Sequence, residues 1–465
     1  MTSLPEGLAR SLAEVLGPKR FRTDPADRAA YAYDNSRQRG DAGGVAFPET
    51  EQEVAAVVRA CAGHRWPLVA RGQGSNTTGA TIPAGGALVV SFERMDRIEP
   101  VDRANRYVVA QAGASNADIQ TAAREAGFFW PPDPTSAAYS TLGGNLACNA
   151  AGPHAVKYGT PRENVLGLTA VTGAGDVVRV GTRTTKGVVG YDFTRLLIGS
   201  EGTLGLITEA TLKLWPAPQA VATLRAAYAS VPAAAEAVAR VMAQPDLPWV
   251  LEFMDRGAVG LIRERGVELP EGCEAVLLME VEGTGAGLEA AVAGVSEAAR
   301  GEGLLAIDTA DDPAEAARLW QARKALSPAL RTLRAGKINE DVVVPVARIP
   351  DLVARIESLA RAADIPIVNF GHAGNGNLHV NLLFDPDDER ETRAARETLP
   401  RVFEAVLDLG GTLSGEHGVG LAKREFVGME LSPEVLRLMR GVKQVFDPQG
   451  ILNPGKAIPP EAGGA

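Results

Sequence analysis

Three glycine-rich stretches constrain this 465-residue chain more than any other feature: RGQGSNTTGA (71–80), STLGGNLACNAAG (140–152) and IGSEGTLGLIT (198–208). Each abuts an apolar run and is fringed by Ser, Thr or Asn. Backbone N–H groups unobstructed by large side chains form concavities that take phosphate oxygens. One such loop is usually only a tight turn; three in one half of a chain point to a large phosphate-bearing ligand. Neither G-x-G-x-x-G between strand and helix nor G-x-x-x-x-G-K-[ST] occurs, which excludes a standard dinucleotide domain and a P-loop.

Around these loops the pattern is mixed. Thr50 with Glu53 reads as a capping box opening a helix with Val54, Val57, Val58 and Cys61 on one face. PLVA reads as a buried strand that runs into the first loop. RYVVAQAG reads as a strand, Ser115 as the cap of a helix that Gly127 stops, and LGLITEATLKLW alternates as a strand of period two. Pro216 and Pro218 then mark a boundary. Beyond it, helical patterns at about 231–243, 287–301, 312–333, 350–363 and 388–409 alternate with strand-like WVLEFM, EAVLLMEVEG, DVVVPV, IPIVNF and NLHVNLLF. The expected division is a helical segment over 1–40, a ligand domain over 41–218, a second domain over 219–410, and a loop and tail over 411–465.

A net charge of −10 leaves no basic excess for nucleic acid. Nothing reads as a membrane span, and Arg10 and Glu14 interrupt any signal-peptide core. Cys61, Cys148 and Cys273 make neither a disulfide framework nor a metal spacing. The expectation is a cytoplasmic protein.

Of five histidines, two stand in FGHAGNGNLHVN (370–381) and a third in SGEHGVG (414–420). Asn375-Gly376 predicts a two-residue hairpin that sets His372 opposite His379, with Cβ atoms about 4.5–5.5 Å apart. Asn377, His379 and Asn381 then share a face. Two imidazoles and the Glu416 carboxylate make a three-ligand set with open positions, as catalytic Zn²⁺, Mn²⁺ or Fe²⁺ uses. Ligand type does not choose among these metals. On the residues alone, the set also suits a metal-dependent hydrolase.

The motifs ARGQGSNTTGA, PPDPTS, TLGGNLACNAAGPHAVKYG, GSEGTLGLIT and FDPQGILNPGK, in that order over about residues 40–456, resemble the vanillyl-alcohol-oxidase type of FAD-binding domain. The second half resembles the C-terminal domain of the FAD-linked D-2-hydroxy-acid dehydrogenases. The resemblance implies an α+β protein: a two-subdomain FAD-binding domain plus an α/β cap with an antiparallel, ferredoxin-like sheet. It implies that Arg71, Gly72, Gln73, Gly74, Ser75, Asn76, Thr77 and Gly79, with Thr141, Leu142, Gly144 and Asn145, cradle the FAD pyrophosphate. Glu201, Gly202, Gly205 and Ile207 line the flavin and adenine side, and Asn453 returns to the flavin. Pro132, Asp133, Asn149, Tyr158 and Gly159 complete its surroundings. Some members link flavin to a histidine in the first loop; Ser75, Asn76, Thr77 and Thr78 stand there in this chain, so FAD is expected to be non-covalent.

The resemblance further places His372, His379 and Glu416 on a divalent metal, zinc first, with manganese or iron as alternatives. It makes His417 the base, Arg323 the ligand of the substrate carboxylate, and Lys337 and Asn381 further substrate contacts. The implied activity is oxidation of a D-2-hydroxy acid to the 2-oxo acid, with metal-assisted loss of the hydroxyl proton and hydride transfer to flavin N5. Electrons leave to an external acceptor or partner protein, because three cysteines do not hold a four-cysteine cluster. A flavin subunit working only within a larger electron-transfer complex is the alternative, and a homodimer stays open.

Overall fold

The computed structural model describes residues 3–310 and 312–460. The chain divides into two compact units: the first takes in the chain to Ala151, then Gly159–Ala217 and the return from Glu416, and the second comprises Gly152–Tyr158 and Pro218–Gly415.

Among the described residues, the first unit holds two four-stranded sheets besides the short pair Phe128–Phe129 with Trp215–Pro216. In one, strands Ala42–Ala46, Ala87–Ser91 and Leu68–Arg71 run parallel, with Phe21–Arg22 antiparallel at one edge. Helices Glu6–Leu16 and Glu51–Gly63 cover it; Leu8, Leu12 and Leu16 recur every four residues and bury one helical stripe against Val54, Val57 and Val58. Thr50 caps the second helix, accepting from Glu53 N at 3.2 Å. The box does not close on Thr50, because the Glu53 carboxylate accepts from Glu49 N at 2.8 Å and pairs with Arg20. The other sheet is antiparallel, in the order Tyr107–Gln111, Leu206–Lys213, Val165–Val171, Val177–Gly181. The tail closes the unit: Ser432 caps helix Pro433–Phe446, and Asn453 N then donates to Leu68 O at 2.8 Å beside the strand that feeds the first glycine loop.

The second unit is built on one seven-stranded antiparallel sheet, ordered Leu304–Thr309, Ala220–Tyr228, Ala275–Gly283, Val250–Met254, Ile367–Gly371, Asn377–Phe384, Gly336–Val343. Helices Val231–Ala243, Ala286–Ala299, Ile349–Ala363 and Glu389–Asp408 pack together, while helix Arg256–Arg263 and the segment from Pro313 pack through Val259, Ile262, Leu319 and Leu326 onto Val276, Leu278, Phe370 and Leu383. The inner strands are therefore buried on both faces, as Val250–Met254 is, its one acid Glu252 included. The helix expected over 312–333 breaks into Pro313–Lys324, Leu326–Ala329 and a 3₁₀ turn at Leu330–Thr332. Pro328 lacks the N–H a continuous helix needs and its ring crowds the preceding turn. Two strands of this sheet escaped the pattern: Ala220–Tyr228 is rich in alanine, and Leu304–Thr309 is a half-exposed edge.

Candidate active site

The first glycine loop, expected to cradle FAD, begins where strand Leu68–Arg71 ends. A Cβ on Gly72 would lie 2.1 Å from Thr141 Oγ1, so the first and second glycine loops touch there and only glycine fits. Gly74 has φ +69 and the Arg71 guanidinium against it. Arg71 is buried and donates to Tyr33 O at 2.6 Å; burial lowers its pKa, against Asp34, which raises it. Asn76 Oδ1 accepts from Thr78 N and Ala80 N, both at 2.9 Å, and this folds the loop back on itself. Arg71, Gln73 and Ser75 line an open cavity of about 510 Å³ with Tyr33, Arg37 and Arg39, three residues the sequence reading did not single out.

Thr141 precedes helix Leu142–Cys148. Beside it, Ser140 Oγ and Asn145 Nδ2 are buried with no hydrogen-bond partner among the described residues. Buried polar groups are rarely left unmatched in a folded protein, so these atoms fit a ligand that offers acceptor oxygens, as the FAD pyrophosphate does. Pro132, Asp133, Asn149, Gly202, Gly205 and Ile207 all lie in this first unit with the two loops.

Asn76, Tyr158, Glu201 and Asn453, all expected at the cofactor, have side chains engaged within the protein. Asn453 Nδ2 donates to Ala80 O at 2.9 Å and Glu201 O at 2.7 Å. The buried Glu201 carboxylate accepts from Val419 N and Gly420 N, which fastens the loop that carries Glu416 and His417. Asn76 Nδ2 donates to His417 O at 3.0 Å, and Ala151 N donates to the Glu416 carboxylate at 2.9 Å. Tyr158 belongs to the second unit, its phenol bonded to Glu282.

In the second unit, His372 and His379 come together, but not by the expected hairpin. Phe370 pairs with His379 and Asn369 with Val380, a register two residues away from the one anticipated. The loop is a 3₁₀ turn at Ala373–Asn375 followed by Gly376 at φ +77. A two-residue type I′ turn needs positive φ at both central residues, and Asn375 does not adopt it. Gly376 is also pinned by the neighbouring strand end: Val344 N donates to Gly376 O at 3.0 Å, and a Cβ there would strike Val344 O. A shift of two preserves the face, so the imidazoles still meet, edge to face, with centroids 5.3 Å apart.

Each imidazole has a buried carboxylate at its Nδ1. For His372 it is Glu252, in strand Val250–Met254. For His379 it is Asp341, its cross-strand neighbour, at 3.6 Å. At His372 the carboxylate is hydrogen-bonded to Nδ1, which orients the ring and leaves Nε2 for a cation. The contact of His379 with Asp341 is an ion-pair distance, not a hydrogen bond. Two imidazoles among buried carboxylates are donor chemistry that fits a divalent metal. Glu252 and Asp341 were not singled out in the sequence, although an acid inside the apolar run WVLEFM is a signal that could have found the first. Burial pushes the Glu252 carboxyl up, but Arg323 and then His372 outweigh it and hold the group well below the ordinary carboxylate range.

Arg323, at the end of helix Pro313–Lys324, is buried beside them. Its Nε donates to Glu252 Oε2 at 2.7 Å, and its guanidinium lies 4.7 Å from the Phe370 ring centre. Lys337 Nζ donates to Ser327 Oγ at 3.1 Å. Asn381 is fully buried and engaged: Nδ2 donates to Val368 O and His379 O, and Oδ1 accepts from Asn339. The face carrying Asn377, His379 and Asn381 is thus polar and buried. His154 stacks on Trp249 at 4.4 Å within the same unit.

A mixed parallel-and-antiparallel cradle with orphaned donors, joined in one chain to a helix-covered antiparallel sheet, defines a flavin-binding oxidoreductase of α+β class. The solved structure of p-cresol methylhydroxylase has this fold, with a TM-score of 0.77 at 16% identity over 98% of this chain and 99% of that one. The chain belongs to the FAD-linked oxidases: residues 42–181 match the FAD binding domain and 217–457 match the FAD linked oxidases, C-terminal domain. The glycolate oxidase subunit GlcD of Bacillus subtilis is 38% identical over 97% of this chain and 96% of its own. The D-lactate dehydrogenase of Anaerostipes hadrus is 36% identical over 87% of both. This membership removes the flavin-free hydrolase. Among the described residues, no helix is long and apolar enough to cross a membrane.

Proposed function

We propose that the protein oxidises a D-2-hydroxy acid of the lactate, glycolate or 2-hydroxyglutarate kind to the 2-oxo acid, using non-covalent FAD and a divalent cation, zinc before manganese or iron. The observation that carries this reading is the buried group of His372, His379 and Arg323 in a member of the FAD-linked oxidases: two imidazoles 5.3 Å apart beside a guanidinium. When bound, FAD supplies the two-electron acceptor and the cation the positive charge that acidifies an α-hydroxyl.

The chain's own residues do the rest. His372 and His379 offer Nε2 to the cation, with Glu416 as the third donor. Arg323 takes the substrate carboxylate, whose charge matches the donors left on its outer edge; Lys337 adds a second positive charge on the approach. Asn381, held in the sheet, shapes the floor beside His379. His417 accepts the hydroxyl proton, a role suited to imidazole at neutral pH. Ser140, Asn145 and the N–H groups of the first two loops hold the pyrophosphate.

Anaerobic mixing with a panel of D- and L-2-hydroxy acids tests the reading directly: D-acids should bleach the visible flavin band and L-acids should not. His417→Ala should slow that bleaching by about 100-fold or more while the protein stays yellow. Bleaching at the wild-type rate removes His417 from the reaction. A second reading, a flavin subunit that turns over only with electron-transfer partners, is favoured by the word subunit in the name of the Bacillus subtilis relative. Steady turnover of the isolated chain with an artificial dye excludes strict dependence.

A further inference from the structure

We infer that Glu252 is a positioning residue that sets the metal-binding imidazole and the carboxylate-binding guanidinium from a single side chain. This inference rests on the function proposed above. Glu252 sits in the middle of strand Val250–Met254 and is 1% exposed. The adjacent strand delivers Phe370 and, one residue beyond its end, His372. Helix Pro313–Lys324 delivers Arg323. One carboxylate oxygen, Oε1, meets His372 Nδ1; the other, Oε2, accepts from Arg323 Nε at 2.7 Å and pairs with Nη2.

Each contact has a directional consequence. A proton held on Nδ1 by the carboxylate leaves Nε2 with the lone pair, so His372 presents one ligating atom at one angle. On Arg323, the Nε–Nη2 edge is taken, and Phe370 backs the guanidinium face at 4.7 Å. Nη1 donates to no described residue, so the fork is turned with its outer edge open. A carboxylate that bonded only one of the two groups would leave the other free to swing. Glu252 bonds both, and it is anchored by a central strand of the sheet. The distance between the cation's site and the carboxylate's site is thereby fixed. A 2-hydroxy acid requires such a fixed span, because its hydroxyl and carboxylate stand on adjacent carbons.

The neutral isostere separates positioning from bulk. Gln has one acceptor oxygen and one donor nitrogen, so in Glu252→Gln it satisfies His372 or Arg323 but not both. Cation binding is read on the metal-stripped holoflavoprotein by titration with Co²⁺, whose visible ligand-field band reports imidazole coordination, and KM is read with D-lactate. Glu252→Gln should weaken Co²⁺ binding by about 10–100-fold and raise KM about tenfold or more. Flavin content should stay at the wild-type level. Glu280, an acid of the same sheet bonded to Trp249 and Trp320, provides the control. Glu280→Gln should leave Co²⁺ binding unchanged. If Glu252→Gln loses flavin or melts early, Glu252→Asp keeps the charge and shortens the reach, and must shift both readouts in the same direction. Wild-type Co²⁺ affinity and KM in a folded Glu252 variant overturn the inference and leave the proposed function standing. A wild-type protein whose Co²⁺ band is absent, or survives His372→Ala, overturns the metal-assisted reading and this inference with it.

Discussion

Lys456 shows how far a single side chain can bias stability in the tail. Its Nζ is buried and donates to Ile82 O at 2.7 Å and Asn453 Oδ1 at 3.1 Å. Burial lowers its pKa from 10.5 to about 8, against the pull of Glu201, which raises it. Between those two pH values the unfolded chain binds a proton that the folded chain does not, so stability rises with pH. The contribution is complete above 10.5 and is lost as pH falls through 8. Relative to Lys456→Met, the wild type should therefore gain about 2–3 kcal/mol from pH 8 to pH 10.5, at roughly 1.4 kcal/mol per unit. Urea titrations at the two pH values measure it, and a difference that does not grow with pH contradicts the assignment. Arg323 invites a second residue-scale test. If Arg323 binds the substrate carboxylate as proposed, each charged hydrogen bond is worth about 1.5–3 kcal/mol, so Arg323→Met should raise KM for a 2-hydroxy acid by about tenfold or more in steady-state kinetics.

At the scale of elements, the contact between the first two glycine loops is the most exposed to substitution. Gly72→Ala places a methyl group 2.1 Å from Thr141 Oγ1 and must displace the Thr141 side chain or push the loops apart. The purified variant should retain under about a tenth of the wild-type flavin, on the general ground that overpacking costs 1–3 kcal/mol, while its far-ultraviolet circular dichroism is unchanged. Full flavin content would show that the cradle lies elsewhere. These loops were legible because glycine next to Ser, Thr and Asn is a local signal, as were the strand Leu206–Lys213, with its period of two, and the helix Val231–Ala243. The His372–His379 face was legible through alternation, which survives a register shift of two. The loop itself was not, because the hydrogen bond from Val344 to Gly376 comes from a strand distant in sequence. Glu252 and Asp341 were missed for a related reason. Nothing local says which acid faces which imidazole; sheet order decides it, and non-consecutive neighbours such as Val250–Met254 beside Ile367–Gly371 are invisible to periodicity. Asn453 and Glu201 were placed on flavin by analogy, yet their side chains tie the tail and the Val419–Gly420 backbone in place.

For the molecule as a whole, the glycine loops proposed for FAD and the two imidazoles proposed for the cation stand in different units, so the two ligands should be separable. The orphaned donors Ser140 and Asn145 belong to the first unit, and the imidazoles His372 and His379 to the second. Each unit has its own buried core, so losing one ligand does not dismantle the scaffold that holds the other. Dialysis against a strong chelator should therefore remove the cation and leave the flavin, giving a yellow protein whose bleaching by D-lactate slows by more than about tenfold, as loss of a Lewis acid worth several kcal/mol requires. Added Zn²⁺ or Mn²⁺ should restore the rate, and the metal that restores it best at one equivalent identifies the native ion. Gly72→Ala should give the reverse: flavin lost, Co²⁺ still bound with its visible band. Metal analysis and flavin absorbance on the same samples read both arms. If chelation releases flavin, or Gly72→Ala abolishes Co²⁺ binding, the two ligands share determinants and the separation of the glycine loops from the imidazoles fails.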